Sequence, residues 1–235
     1  MADSLSVYDS VFGERGKALS TTSAFLYHHA MDRTIRLIAS DMGGVLALHA
    51  DHDLEGRLLK DFGIEGYGSF AEVDPELTQL LVRHSKNEID EAELWKRFTA
   101  ITGVAVPHSG QSLWGKYFSP ELDEAVLSLY RELKGKGNRI VCATNVEPAH
   151  YAHHQREGHY DLFDGVYASC VMGWAKPEAE FYTHIIKKEG IDSSQILFID
   201  DLEENCEAAQ NLGMRAFLFK DVVELRWALV DMELI

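Results

Sequence analysis

The sequence predicts an α/β protein, a doubly wound parallel five-stranded sheet of Rossmann-like design with a small helical cap inserted near its start. Three observations predict it. Short apolar runs at 36–40, 139–143, 165–168, 195–199 and 215–219 carry almost no polar alternation, as strands buried on both faces of a parallel sheet do. Helical patterns separate the later runs, and strands alternating with helices imply right-handed crossovers. Residues 53–118, between the first two runs, hold helical spacing and no convincing strand.

Residues 1–34 show little periodicity and read as an extension outside the core, partly mobile, with His28 and His29 a solvated pair. Met31, just ahead of the first run, is an alternative start. The first run ends in Asp41-Met42-Gly43-Gly44-Val45-Leu46, a carboxylate at a strand's carboxyl end followed by a glycine-rich turn. Ligands of open α/β sheets sit in the crevice beyond those ends. Such a carboxylate is a nucleophile, a metal ligand or a strand-end cap.

The inserted segment opens with Leu54, Leu58, Leu59 and Phe62 at helical spacing. Asp74-Pro75-Glu76 starts a helix carrying Leu77, Leu80 and Leu81, and Asp90-Glu91 starts one carrying Leu94, Trp95, Phe98 and Ile101. The segment 53–118 is a cap over the sheet's carboxyl edge or a surface bundle with no role in the site, and its entry point so close to Asp41 favours the cap. The core is then 35–52 with 119–235. Ser119-Pro120-Glu121 carries the signals of a helix start, with Leu122, Val126, Leu129 and Leu133 inward and a stop at Gly135 and Gly137. Lys176-Pro177-Glu178 opens the next helix, with Phe181, Ile185 and Ile186 inward, and a third follows Asp201 and ends near Gly213.

Composition narrows the function. The 235 residues hold 22 basic and 38 acidic side chains, a formal charge of −16. Nucleic-acid binding needs a positive stripe to displace counterions, so that class is excluded. Phosphate binding stays open if a metal ion and a few lysines reverse the field locally. Cys142, Cys170 and Cys206 form no C-x-x-C pair, which removes a zinc ribbon or dithiol site and fits a reducing cytoplasm. No apolar stretch reaches the roughly 18–20 residues of a membrane span. Asp3, Asp9 and Glu14 interrupt any signal-peptide layout. The expected setting is cytoplasmic, without membrane partner.

Four features fall on loops at one edge of the expected sheet: Asp41, Thr144-Asn145, Lys176, and Asp200-Asp201 with Asn205 beyond. Singly each is weak, since a strand-end Asp or Asn is common turn chemistry. Adjacent carboxylates are more telling, because they repel unless a cation sits between them. Together the four supply a carboxylate nucleophile, oxygen ligands for Mg²⁺, a hydroxyl and amide for phosphate oxygens, and a balancing lysine.

In these motifs the chain resembles the haloacid dehalogenase superfamily, specifically its phosphatases with a small helical cap. The matching stretches are Asp41-Met42-Gly43-Gly44-Val45-Leu46, Ala143-Thr144-Asn145, Gly173-Trp174-Ala175-Lys176-Pro177-Glu178 and Phe198-Ile199-Asp200-Asp201 with Asn205. The cap-helix entry at Lys86-Asn87-Glu88-Ile89-Asp90-Glu91-Ala92-Glu93-Leu94-Trp95 is also similar. The resemblance implies a Mg²⁺-dependent phosphatase acting on a small soluble phosphate monoester. Asp41 would attack phosphorus and form an aspartyl-phosphate. Mg²⁺ would be held by Asp41, the Gly43 carbonyl and Asp201, with Asp200 at or just behind the ion. Thr144 and the Asn145 backbone would hold phosphoryl oxygens, Lys176 would pair with Asp41 and the phosphate, and Asn205 would orient the last loop.

The departure is Gly43, where most phosphatases of the superfamily carry a second Asp that protonates the leaving group. General acid–base help is worth about 10²–10⁴-fold, so its loss slows both half-reactions. Members similar to sugar-1-phosphate phosphatases nevertheless carry Asp-x-Gly at this point. His49, Asp51, His52 and His150 are the replacement proton carriers to weigh against solvated loop histidines. His150 and His154 have the spacing of a helical metal pair but show no third ligand. Trp114, Lys116 and Tyr117 face the substrate or pack the cap onto the core, and packing is the favoured reading for the two rings. Two other functions stay open. One is a metal-independent dehalogenase, against which Asp200-Asp201 argue; the other is a non-catalytic or very slow phosphate-binding protein.

Overall fold

The strands are β1 (Leu37–Ser40), β2 (Ala47–Leu48), β3 (Glu121–Leu122), β4 (Arg139–Thr144), β5 (Val166–Ala168), β6 (Ile196–Asp200) and β7 (Arg215–Leu218). This is a computed structural model that describes residues 34–48, 54–107 and 110–235. The expected extension, with His28 and His29, lies outside the described residues apart from Thr34. Five strands make one parallel sheet in the order β5-β4-β1-β6-β7, with Leu37 opposite Arg139 on one side and Ile196 on the other. The chain winds outward from β1 through β4 to β5, then returns to β6 and β7 on the other side. The loops after β1, β4 and β6 therefore meet at the reversal of strand order, where such sheets bind ligands.

The helices are α1 (Leu54–Asp61), α2 (Phe70–Val73), α3 (Pro75–Ser85), α4 (Glu91–Thr102), α5 (Glu124–Gly135), α6 (Pro148–Arg156), α7 (Ser169–Met172), α8 (Ala179–Glu189), α9 (Glu203–Asn211) and α10 (Val222–Asp231). Side chains alternate across β1, and each face has its own layer. Ile38 packs with Val126, Tyr130 and Leu133 of α5 and Leu225 and Leu229 of α10. Leu37 and Ala39 pack with Phe181, Tyr182 and Ile185 of α8 and Ala209 of α9. Both faces of β1 are thus buried, which is why its sequence lacks polar alternation.

The helix expected to open at Ser119-Pro120-Glu121 begins later. Glu121 and Leu122 instead pair antiparallel with Leu48 and Ala47. The Asp123 N–H donates to the Leu46 carbonyl, and its side chain accepts the N–H groups of Ala125 and Val126. An Asp that caps two amide donors at a helix start outcompetes the Ser-Pro signal four residues earlier. The helix expected at Lys176-Pro177-Glu178 likewise starts at Ala179, beyond a cis Lys176–Pro177 bond.

Helices α1 to α4 lie between β2 and β3 and bury their own apolar cluster, with Leu58, Leu59, Phe70 and Phe98 inaccessible to solvent. Asp74 and Asp90 cap α3 and α4 by accepting the N–H groups of Glu76 and Glu93, and Gly103 ends α4 with φ 71°. The return segment is tied down by Glu91, which accepts the N–H groups of Leu113 and Trp114 and the Trp95 indole. Trp114 packs within this cluster, edge-on to Phe70 and tilted against Trp95, and Tyr117 packs beside it while donating its hydroxyl to Asp61. No helix of the described residues is long and apolar enough to cross a membrane.

Candidate active site

Asp41 follows β1 directly, and its N–H donates to the Ile199 carbonyl at 2.8 Å, continuing the ladder toward β6. That bond sets the carboxylate between the ends of β1 and β6. One carboxylate oxygen accepts the Met42 N–H at 2.7 Å, and the other lies 2.9 Å from Lys176 Nζ. Lys176 Nζ also lies 2.7 Å from Asp200 Oδ2. Asp200 Oδ1 accepts from the Leu202 N–H at 3.0 Å and from Asn205 Nδ2 at 2.9 Å. Asp200 thus has partners on both oxygens, and Asn205 ties the start of α9 back to it.

The site is nearly dry, which sharpens its electrostatics. Asp41, Lys176 and Asp200 are 7%, 5% and 0% exposed. Burial pushes the Asp41 carboxyl up to about 7; the Lys176 ammonium opposes this and Asp200 adds to it. Burial also pulls Lys176 down, but the two carboxylates beside it prevail and its pKa is raised. One buried lysine therefore faces two buried acids, and Asp201 brings a third. Oxygens of Asp41, Asp200 and Asp201 lie within 4.8 Å of one another. Such a group leaves negative charge for a hard divalent cation to neutralise. Among the described residues it is the cluster that fits a metal.

The two glycines after Asp41 serve different needs. Gly44 has φ +68°, and a Cβ there would lie 2.1 Å from Asp201 Oδ2. The bare backbone lets the Asp201 carboxylate close over the turn. Gly44→Ala is expected to displace Asp201 and weaken divalent-ion binding by about 10–100-fold, the range seen when support around metal ligands is lost. Calorimetric titration with Mg²⁺ checks this. Gly43 needs no such freedom, because its φ is not positive and a Cβ there would meet nothing within 4 Å.

Thr144 and Asn145 leave β4 at the same edge. Thr144 is 3% exposed, and its hydroxyl donates to the Asn145 carbonyl at 3.3 Å. The Asn145 side chain forms a double bridge: Nδ2 donates to the Lys176 carbonyl and Oδ1 accepts the Lys176 N–H, both at 2.8 Å. Sequence reasoning misses this positioning role, because the partner lies 31 residues away and no local pattern marks it.

His150 sits 2% exposed, stacked on Phe118 with ring centroids 3.7 Å apart. Its Nε2 lies 3.0 Å from the Trp114 carbonyl and its Nδ1 3.2 Å from Glu147. Both ring nitrogens are thus engaged where the inserted helices rejoin the core. His154 turns instead to His159, Nδ1 to Nδ1 at 2.9 Å, and burial pulls its pKa down to about 3. Among the described residues, the two histidines belong to no metal-binding group. His49, Asp51 and His52 lie outside the described residues.

A family model for haloacid dehalogenase-like hydrolases matches residues 35–213. The chain is 46% identical over 94 residues to the sesquiterpene phosphatase astK of Aspergillus oryzae, covering 39% of this chain and 47% of that protein. It is 39% identical over 59 residues to a phosphatase of Mycobacterium tuberculosis, covering 25% of this chain and 27% of the other. The chain therefore spans about half or less of the length of these relatives. Among solved structures, a HAD-like family hydrolase from Porphyromonas gingivalis superposes with TM-score 0.67 at 22% identity, covering 84% of this chain and 98% of that one. A HAD family enzyme from Bacteroides thetaiotaomicron, in complex with magnesium and inorganic phosphate, gives TM-score 0.62 at 24% identity, covering 81% and 98%. With its sheet order, its four loops at one edge and the family model matched from β1 to the end of α9, the chain belongs to the haloacid dehalogenase-like hydrolases.

Proposed function

We propose that this hydrolase is a Mg²⁺-dependent phosphomonoesterase in which Asp41 is the nucleophile. The observation that carries this is the convergence of Asp41, Asp200 and Asp201 around Lys176. A dehalogenase that uses no metal has no need of three clustered acids. Asp41, Asp201 and the Gly43 carbonyl would hold the ion, with Asp200 anchored behind them by Asn205. Bound Mg²⁺ supplies charge neutralisation at the phosphoryl oxygens and keeps Asp41 ionised.

The chain's own residues do the rest. Lys176, fixed at its backbone by Asn145, holds its ammonium against Asp41 and steadies the incoming phosphoryl group. Thr144 and the Asn145 amide bind phosphoryl oxygens at the end of β4. Asp41 attacks phosphorus and the bond to the ester oxygen breaks; that oxygen leaves with the electron pair and takes a proton from solvent to give the alcohol, and water then hydrolyses the aspartyl-phosphate to inorganic phosphate. Residues 53–118 act as the cap that screens this crevice from water and selects the substrate.

For the substrate we favour the monophosphate of an apolar alcohol. The resemblance to a sesquiterpene phosphatase supports this choice. The test is a panel of phosphomonoesters, with a sesquiterpenyl phosphate, sugar phosphates and an aryl phosphate, assayed with Mg²⁺ and with EDTA. Steady phosphate release that EDTA stops supports the reading; turnover unaffected by EDTA, or halide release without metal, overturns it. Gly43→Asp is expected to raise kcat on alkyl phosphates by about 10-fold or more, within the reach of general acid catalysis. The open space around Gly43 lets the new side chain in without strain.

A further inference from the structure

The C-terminal turn of α3, in the inserted segment, is hydrogen-bonded toward both loops that fix Lys176. The turn itself is tightly built. Asn87 takes the left-handed conformation, φ 57°, which asparagine tolerates. The N–H groups of Asn87 and Glu88 donate back to the carbonyls of His84 and Arg83, each at 2.9 Å. His84 is 2% exposed and sets its Nδ1 3.1 Å from the Ile89 carbonyl beyond the turn.

Two links leave this turn for the core. In the first, the Ser85 carbonyl accepts from Ser169 Oγ at 2.7 Å, and Ser169 Oγ accepts the Val146 N–H at 2.9 Å. Ser169 is fully buried, and Val146 follows Asn145 directly. In the second, Lys86 Nζ donates to Glu178 Oε1 at 2.8 Å, and Glu178 Oε2 accepts the Ala175 N–H at 2.9 Å. Ala175 directly precedes Lys176. The Glu178 N–H also donates to the Ala175 carbonyl at 2.8 Å, so Glu178 closes the turn that presents Lys176 with both its backbone and its side chain.

The two links meet, because Asn145 clamps Lys176 at its N–H and its carbonyl. The path runs from Ser85 through Ser169 to Val146 and Asn145, across the clamp to Lys176 and Ala175, and back through Glu178 to Lys86. A closed circuit of hydrogen bonds holds its members in register more firmly than separate bonds do. The electrostatics agree. Burial works to raise the Glu178 carboxyl, but the Lys86 ammonium and the Ala175 N–H prevail and hold it low. The Lys86 and Glu178 side chains are 15% and 37% exposed, and ion pairs open to water add little to stability. Stability therefore gives a weak account of why this pair spans 92 residues.

We propose that the α3 turn is a latch coupling the cap to Lys176, with Lys86 and Glu178 as positioning residues for that lysine. Its effect on rate rests on the phosphomonoesterase reading above; the coupling itself does not need turnover to be seen. With the latch closed, the 175–178 turn is held from the Asn145 side and from the cap side, and Lys176 Nζ stays 2.9 Å from Asp41 and 2.7 Å from Asp200. With it open, the cap-side tie is lost and the ammonium is less well aimed, and small misplacements at a reacting centre are costly in rate. A substrate that holds the cap in place thereby also sets the lysine.

The test uses the whole chain carrying Lys86→Met, Glu178→Gln, both together, or Lys86→Arg. Lys96→Met, which breaks an ion pair confined to α4, is the control. Amide exchange over 143–147 and 173–178, read by mass spectrometry, is measured beside kcat, KM and Tm. Lys86→Met and Glu178→Gln are each expected to speed exchange in both segments by about tenfold while β1 and β6 stay protected. Each is expected to lower kcat by about tenfold with KM within about twofold, the pattern of an interaction made in the transition state, and to leave Tm close to that of the wild type. The double variant is expected to lose no more than either single one, because both break the same link, and Lys86→Arg to recover most of the loss. Unchanged exchange in both segments, unchanged kcat in an active protein, losses that add in the double variant, or equal losses in Lys96→Met overturn the latch. If the wild-type protein hydrolyses no ester, the phosphomonoesterase reading fails on its own, and the exchange rates alone decide whether the cap is coupled to Lys176.

Discussion

Asp41→Asn is expected to abolish phosphate release while the protein stays folded and still binds Mg²⁺ weakly. The expected fall in kcat is on the order of 10⁴–10⁶-fold, the scale on which losing a nucleophile acts. The asparagine keeps the size of the side chain and a carbonyl oxygen able to accept the Met42 N–H, now 2.7 Å from Asp41 Oδ1. It removes the attacking charge. Its effect on folding is small or favourable, because burial works against an ionised Asp41. A parallel measurement of activity and melting temperature separates these terms. Activity loss with an unchanged or raised Tm is the expected pattern.

Lys176→Met acts in the opposite way, on stability as well as rate. The Lys176 side chain is 1% exposed and lies against Asp41 and Asp200, whose side chains are 11% and 0% exposed. Methionine fills a similar volume but leaves two carboxyls facing each other without a cation. Breaking a buried ion pair by removing one partner costs about 3–5 kcal/mol, and that range is expected for unfolding in metal-free buffer at pH 7. The sign of the pH dependence follows from linkage. Without the ammonium, the burial that raises the Asp41 carboxyl goes unopposed, so its folded pKa lies further above its unfolded one and the folded state binds more protons. The variant's deficit is therefore largest near neutral pH and shrinks as pH falls toward 5. Urea unfolding of both proteins at pH 7 and pH 5 checks this, as does partial rescue of the variant by Mg²⁺.

Much of the fold is legible in the sequence, for a physical reason. The strands of a doubly wound sheet are buried on both sides, so 36–40, 139–143 and 195–199 read as unbroken apolar runs and emerge as β1, β4 and β6. Asp74 and Asp90 announce α3 and α4 because an N-cap is a local transaction between a side chain and amides two or three residues ahead. Ser119-Pro120-Glu121 imitates such a start. The ribbon of Ala47–Leu48 with Glu121–Leu122 that displaces it is two residues per strand, too short for any period to register.

The candidate site divides along the same line. Asp41, Thr144, Lys176 and Asp200-Asp201 are visible because each sits where a strand ends or a helix loop begins. Topology alone then brings them together. What stays hidden is contact between distant segments. The Asn145 clamp on Lys176 spans 31 residues. His150 shows the converse case: a histidine after a phosphate-loop motif suggests chemistry, but its ring is stacked on Phe118 and held at both nitrogens.

The central claim is that Asp41 carries the phosphoryl group during turnover, and an acyl-phosphate can be caught chemically. The enzyme is mixed with Mg²⁺ and a phosphomonoester, quenched in acid within one turnover, reduced with borohydride and mapped by peptide mass spectrometry. The account predicts homoserine in place of aspartate at position 41, only when substrate and metal are both present. Steady phosphate release with unmodified aspartate at position 41 in every quenched sample would contradict it.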